Sequence, residues 1–165
     1  MIRPMRVSDI DMLLANFAEQ GWQKPRDVFE EYLSKQDKAL YTFAAESEQD
    51  IAGYAILYKA ARGGPFADKH IPEIGDLIVF EKYQRRGIGN VILDAAEKKA
   101  AELSEAVSLA VGLHSGYGAA QRIYIKRGYM PDGSGCWHKN APLSQYADCV
   151  NDDDLVLYLL KVLRA

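Results

Sequence analysis

Apolar residues recur at helical spacing near the start of the chain. Positions i, i+3, i+4, i+7 and i+8 are filled by Ile10, Leu13, Leu14, Phe17 and Ala18. This pattern predicts an amphipathic helix that ends at Gly21. Ser8 stands where an N-terminal cap belongs, with the acid Asp11 three residues later. A second, shorter helix is predicted over residues 27–35.

Shorter apolar runs predict the strands. Residues 39–46 and 51–58 flank a polar turn over 47–50, which is typical of a β-hairpin. Residues 130–135 have the composition of a turn. Further strands are predicted over 74–80, 107–113 and 155–160, and further helices over 87–103 and 119–127, the last capped by Gly128. The element order β-α-α-β-β-β-α-β-α-β-β indicates a mixed α/β fold.

Composition narrows the class of protein. The chain has 165 residues, 48% hydrophobic and 26% charged, which predicts one globular domain over residues 1–165. A net charge of −3 gives no electrostatic footprint for nucleic acid. No apolar run is long enough for a membrane span, and the start lacks a secretory signal, so we expect a soluble cytoplasmic protein. The two cysteines, Cys136 and Cys149, lack zinc-ligand spacing, so no metal site is expected.

One segment has the residues that bind a diphosphate. After the apolar residues 77–80, a basic loop carrying Lys82, Arg85 and Arg86 leads through Gly87 and Gly89 into a predicted helix. The first turn of a helix has unpaired N–H groups and positive dipole character, and glycines let phosphate oxygens approach the backbone. Position 92 holds isoleucine where a dinucleotide fingerprint needs a third glycine, and no P-loop motif is present.

The remaining pattern, Gln84-x-x-Gly87-x-Gly89, resembles the coenzyme A loop of the GCN5-related N-acetyltransferase (GNAT) family. The resemblance extends over nearly the whole chain and includes the later helix with Ala120 and Tyr124, followed by the pair Gly128-Tyr129. It implies a single-domain GNAT fold, with a mixed, mostly antiparallel sheet of about six to seven strands, splayed at the cofactor site and flanked by about four helices.

The resemblance also implies the activity, which is acetyl transfer from acetyl-CoA, as cosubstrate, to an amine. Its cofactor-binding residues would be Leu77, Ile78, Val79, Gln84, Arg85, Arg86, Gly87, Ile88, Gly89 and Asn90. Tyr124 would be the acid that protonates the leaving thiolate, although its helical spacing alone favours a core aromatic residue. Many members have an asparagine seven residues before that tyrosine, where this chain has Tyr117.

The base that deprotonates the amine is open between two carboxylates. Similar enzymes often keep an acid on the strand before the coenzyme loop, and here that strand offers Glu73 and Asp76. Their odd spacing would place them on opposite faces of a regular strand, but a β-bulge would break that rule. Glu73 matches the family's glutamate better and is preferred. Loss of the proton to solvent is the third alternative.

The acceptor is expected to be a small-molecule or peptide amine. Its pocket could be walled by the aromatic side chains Trp22, Phe29, Tyr32 and Trp137 and the 63–70 loop. The small residues Ala110 and Gly112 would either leave room for the cofactor or allow tight packing. A homodimer is common among similar proteins, and no nucleic acid or membrane partner is expected. The competing hypothesis is a non-catalytic acyl-CoA-binding sensor or interaction module on the same fold.

Overall fold

The strands and helices follow the predicted order. The computed structural model describes residues 1–164, whose contacts divide into two compact units, 1–59 with 74–99 and 60–73 with 100 onwards. The described part is an α/β fold with four α-helices and eight strands, mostly antiparallel. The strand count is therefore slightly higher than the expected six to seven. Two of the strands, β1 (Ile2–Arg3) and β7 (Ala141–Pro142), have two residues each, too few to produce an alternating pattern.

The first unit has the strand order β1-β2-β3-β4. Its elements are α1 (Ile10–Glu19), α2 (Arg26–Lys35), β2 (Leu40–Ser47), β3 (Asp50–Tyr58) and nearly all of β4 (Glu73–Val79) and α3 (Ile88–Ala100). The hairpin is confirmed, because β2 and β3 pair antiparallel around Glu48 and Gln49. Both turn residues have positive φ, 52° and 64°, as a tight two-residue hairpin loop requires.

The start of α1 differs from the prediction, whereas its end agrees. Ser8 is not the cap; Val7–Asp9 forms a 3-10 turn, and the Asp9 carboxylate accepts the Arg6 N–H at 2.7 Å. Asp9, rather than Ser8, accepts the backbone N–H here, and its carboxylate also pairs with the Arg3 guanidinium. At the other end, Gly21 has φ 81° and lets the Trp22 N–H reach the carbonyl of residue 17.

The second unit has the strand order β5-β8-β6-β7. Its elements are β5 (Ala106–Gly112), α4 (Gly118–Lys126), β6 (Met130–His138), β7 and β8 (Leu155–Val162). The turn expected over residues 130–135 is instead part of β6, whose register with β8 breaks between Pro131 and Cys136. Gly133 and Gly135 have φ of 89° and 78°, so the glycines produce an irregularity within a strand rather than its end.

Candidate functional site

The segment from β4 to α3 is anchored firmly below its exposed loop. Phe80 is buried, and its N–H donates to the carbonyl of Ala52 at 3.0 Å. Tyr83 is also buried, and its hydroxyl donates to the Asp50 carboxylate at 2.9 Å. These two contacts fix the segment that leads into the loop after Tyr83.

The loop itself has the backbone geometry of an anion site. Arg85 and Gly87 both have left-handed backbone conformations, with φ of 62° and 78°. The first N–H that α3 pairs is that of Val91, to the Gly87 carbonyl at 3.2 Å, so the N–H groups of residues 88–90 precede the first helical hydrogen bond. A Cβ atom added at Gly87 would meet nothing within 4 Å, so the space in front of the loop is open. These features fit a diphosphate.

Most of the polar side chains around the loop have partners within the protein itself. Gln84 donates to the Val79 carbonyl at 2.9 Å, so its role here is to hold the loop against the end of β4. Lys82 contacts the carboxylates of Glu19 and Asp50, at 2.8 and 3.1 Å, and these partners raise its pKa. The Arg86 guanidinium lies over the Tyr83 ring. Arg85 forms no ion pair with any residue in the described range 1–164, so no carboxylate there neutralises its charge.

Glu73, the first residue of β4, is engaged by one arginine. Its side chain is 9% exposed, and its two oxygens accept the Arg62 backbone N–H at 2.9 Å and the Arg62 guanidinium at 2.8 Å. Arg62 itself is 54% exposed. Each carboxylate oxygen has a second lone pair, so Glu73 keeps the capacity to accept a further proton donor.

Asp76 has a different environment in the middle of β4. Its φ of 51° departs from the extended strand, and a left-handed residue within a strand is the geometry of one class of β-bulge. The face alternation of a regular strand therefore does not apply here. Its carboxylate accepts the hydroxyls of Tyr32 and Tyr54 at 2.8 Å each and pairs with the Lys24 ammonium. Burial and the Asp76 charge raise the pKa of both tyrosines, so they remain hydrogen-bond donors.

Tyr124 lies on α4, with a relative exposure of 7%. Burial, and to a smaller degree the nearby Tyr117, raise the pKa of its hydroxyl. The phenol therefore keeps its proton at neutral pH, as a general acid must. Its ring also packs against Tyr129, with centroids 5.7 Å apart, so the core-aromatic interpretation holds for the ring whatever the hydroxyl does.

Tyr117 fills the space that Gly112 leaves on β5. A Cβ atom added at Gly112 would lie 2.3 Å from the Tyr117 ring. Of the two alternatives for this small residue, tight packing is the one observed in the second unit. His114 pairs with Asp153 at 2.7 Å beside Tyr117, and His138 pairs with Asp152.

The candidate acceptor walls have unequal environments. Phe29 is fully buried in the core of the first unit, whereas Trp22 is 53% exposed. Tyr32 contacts Asp76, and Trp137 packs against the Tyr158 ring, with centroids 5.4 Å apart.

Three polar partners of the Asp76 and Glu73 carboxylates were not identified from the sequence, namely Lys24, Tyr54 and Arg62. They lie on a loop, a buried strand and a second loop, where no motif or periodicity singles out one polar side chain.

The described residues contain neither of two further kinds of feature, membrane-spanning helices and metal-ligand clusters. Within residues 1–164, no helix is long and apolar enough to cross a membrane. In the same range, no group of three His, Cys, Asp or Glu side chains is arranged to hold a metal ion.

Several solved structures share this fold. One is smu.2055 of Streptococcus mutans UA159, with a TM-score of 0.72, 18% identity and 99% of each chain covered. The ribosomal-protein-S18-alanine N-acetyltransferase of Escherichia coli has a TM-score of 0.69 and 13% identity, over 100% of this chain and 94% of its own. The yncA protein of Salmonella typhimurium, solved with acetyl-CoA, has a TM-score of 0.70 and 15% identity, over the same shares.

At these identities the structural likeness concerns the fold. No curated protein sequence matches the chain. The family model for the acetyltransferase (GNAT) family, however, matches residues 10–129, which include the coenzyme loop, Glu73, Asp76 and Tyr124. That range covers most of the chain and ends at the Gly128-Tyr129 pair. The chain therefore belongs to the acetyltransferase (GNAT) family.

Proposed function

We propose that this protein transfers an acetyl group from acetyl-CoA to a primary amine by direct attack of the amine on the thioester. The observation that carries the proposal is the loop from Gln84 to Asn90, where left-handed backbone at Arg85 and Gly87 precedes the open start of α3. These residues would hold the pyrophosphate, with Arg85 supplying the charge. Leu77, Ile78 and Val79 would pair through their backbone with the pantetheine arm, as the family resemblance implies.

The reaction needs a base and an acid. The amine nitrogen forms a bond to the acetyl carbon, the carbon–sulfur bond breaks, and the amine loses a proton while the thiolate gains one. Tyr124 would supply the thiolate's proton, because burial keeps its phenol protonated. Glu73 would take the amine's proton, directly or through water, after the half-exposed Arg62 side chain turns aside. Asp76 and solvent are the alternatives for that step.

A direct assay tests the proposal. The protein is incubated with acetyl-CoA and a panel of amines (alkylamines, polyamines, amino acids and lysine-containing peptides), and free thiol is measured together with the mass of each amine. We expect thiol release that depends on the amine, with one acetyl group on the product. Tight binding of acetyl-CoA without release of thiol for any amine would support the non-catalytic acyl-CoA sensor instead. Absence of coenzyme A binding would contradict both.

A further inference from the structure

The ammonium of Lys24 lies in a cage of aromatic rings and one carboxylate. Its Nζ atom is 5.6 Å from the centroid of the Phe17 ring and 5.8 Å from that of Phe29. It donates to the Tyr54 hydroxyl at 2.8 Å and to the Asp76 carboxylate. Faces of aromatic rings with an anion opposite are the usual surroundings of a bound organic cation. We call these four residues the ammonium cage.

The four residues of the ammonium cage lie on helices and strands, whereas its occupant is not part of a regular element. Phe17 is on α1, Phe29 on α2, Tyr54 on β3 and Asp76 on β4, and the three aromatic residues are buried. The cage aromatics also pack on one another; Tyr54 contacts both phenylalanines edge to face. Lys24 lies outside both helices, in the segment between α1 and α2, and its side chain and that of Asp76 are each 20% exposed. Displacement of the Lys24 side chain therefore breaks no hydrogen bond within a helix or strand.

The chemistry of the cage selects among cations. Asp76 and Tyr54 present two oxygen acceptors to one nitrogen, and the Tyr32 hydroxyl donates at 2.8 Å to the same Asp76 oxygen that pairs with Lys24. A primary ammonium has three N–H donors and can satisfy both acceptors, but a quaternary ammonium has none. Exchange of Lys24 for another primary ammonium leaves the charge of the cage unchanged.

We propose that the ammonium cage is the binding site for the acceptor, a primary alkylammonium group, and that Lys24 is an internal occupant which the acceptor displaces. The proposal rests on the proposed acetyl transfer for its biological meaning, but the cage can be tested without it. Lys24 lowers the apparent affinity for the acceptor, because an internal ligand reduces the fraction of molecules whose cage is available. Asp76 in this scheme binds the ammonium, and the base lies elsewhere.

The first test is chemical rescue of an emptied cage. Lys24→Ala removes the occupant and leaves Asp76 unpaired, so its melting temperature should fall below that of the natural protein. Addition of n-butylammonium chloride should restore it by several degrees at millimolar concentration, because a ligand bound only to the folded state stabilises it. Neither butan-1-ol nor tetramethylammonium chloride should do so. The natural protein, whose cage is filled, should respond at least tenfold more weakly.

Matched variants make the rescue specific. Lys35→Ala removes a lysine whose partner is the exposed Glu31, and it should show no rescue by n-butylammonium. Lys24→Ala combined with Asp76→Asn should lose the rescue, because the carboxylate is gone. If Lys24→Ala proves too unstable to purify, Lys24→Gln removes the charge and keeps most of the stem. Equal responses of the natural protein and the Lys24 variants to n-butylammonium would overturn the proposal.

A kinetic test separates this inference from the proposed function. For n-butylamine, Lys24→Ala should lower the KM at least tenfold and leave kcat within about twofold, because removing a competitor changes binding and not chemistry. Rescue without any acetyl transfer would leave the cage established and contradict the proposed function. Acetyl transfer whose KM is unaffected by Lys24→Ala, without rescue, would leave the function established and contradict the cage.

Discussion

The backbone N–H of Tyr129 donates to the carbonyl of Tyr124 at 3.1 Å. This bond closes the last turn of α4, and it forms because Gly128, with φ 91°, turns the chain back on the helix. The two tyrosine rings then lie edge to face. Tyr124 is thus fixed by its backbone and by its ring, which leaves the hydroxyl as the part of the side chain that function can use.

Tyr124→Phe should separate the packing of the ring from the chemistry of the hydroxyl. The ring contact with Tyr129 persists in the variant, so folding should be retained. If the hydroxyl protonates the thiolate, kcat should fall about 10²-fold, which is ordinary for one acid–base group, with little change in coenzyme A affinity. Steady-state kinetics and calorimetric titration measure the two quantities. An unchanged kcat would mean that Tyr124 is a core residue and that water protonates the thiolate.

Gly87→Val tests the coenzyme loop. Gly87 has φ 78°, where a β-branched residue is strained, and its side chain would enter the open space in front of the loop. We expect the affinity for coenzyme A to fall at least about tenfold, which is about 1.4 kcal/mol, by calorimetric titration. Gly133→Val is the matched control, because Gly133 has φ 89° and an equally open Cβ direction in β6. The control should lose stability and keep its affinity. Natural affinity in Gly87→Val would remove the loop from the site.

The predictable part of the structure is the part with local patterns. The coenzyme loop is contiguous, and its glycines, helix start and basic residues all lie within residues 84–90, so one short motif carries it. The hairpin around Glu48 and Gln49 and the cap at Gly128 are local for the same reason. Periodicity located α1, α3 and α4 to within a few residues because each has one buried face.

The partners of the Asp76 and Glu73 carboxylates could not be predicted from the sequence. Lys24 and Asp76 are separated by 52 positions, and Arg62 and Glu73 by 11. Such pairs depend on packing that no periodicity encodes. The conformation of Asp76 was also hidden, because a positive φ in a strand is expected of glycine, and Gly75 stands beside it. In β6, turn-forming residues produced an irregular strand because pairing with β8 resumes at Cys136.

Asp9→Asn should weaken the fold in a pH-dependent manner. Burial raises the pKa of Asp9, but hydrogen bonds from Arg3 and from the Arg6 backbone outweigh it, and the pKa lies below the usual value. The stability from the ionised carboxylate is therefore present above the unfolded pKa of about 3.9 and is lost as the pH falls through the lower folded value. At pH about 7 the variant should lose about 3 kcal/mol of unfolding free energy, because Arg3 loses a buried partner.

Urea unfolding between about pH 3 and 7 measures the effect, and the difference between Asp9→Asn and the natural protein should shrink toward the acid end. Asp11→Asn is the control, since its pair with Arg26 is largely exposed, and it should change stability little at any pH. A difference that is constant with pH would show that Asp9 acts through its shape and not its charge.

Glu73→Gln and Asp76→Asn should change different kinetic properties of acetyl transfer. If Glu73 is the base, kcat/KM should rise with pH between about pH 6 and 8.5 in the natural protein, and Glu73→Gln should flatten that rise and lower kcat/KM about 10- to 10³-fold. Asp76→Asn should raise the KM for the amine and leave the pH profile in place, because Asp76 binds the ammonium. Arg62→Gln is the control; it breaks the 2.8 Å ion pair but keeps the carboxylate, so the rise with pH should persist.

The pattern of the three variants decides the assignment. A flattened profile in Asp76→Asn alone would transfer the base to Asp76 and would leave the ammonium cage without its binding anion. Equal losses in Glu73→Gln and Arg62→Gln, with the rise intact in both, would mean that Glu73 only holds the Arg62 loop. If no variant alters the rise, the amine loses its proton to solvent. Catalysis would then rest on positioning by the coenzyme loop, on backbone donors and on Tyr124.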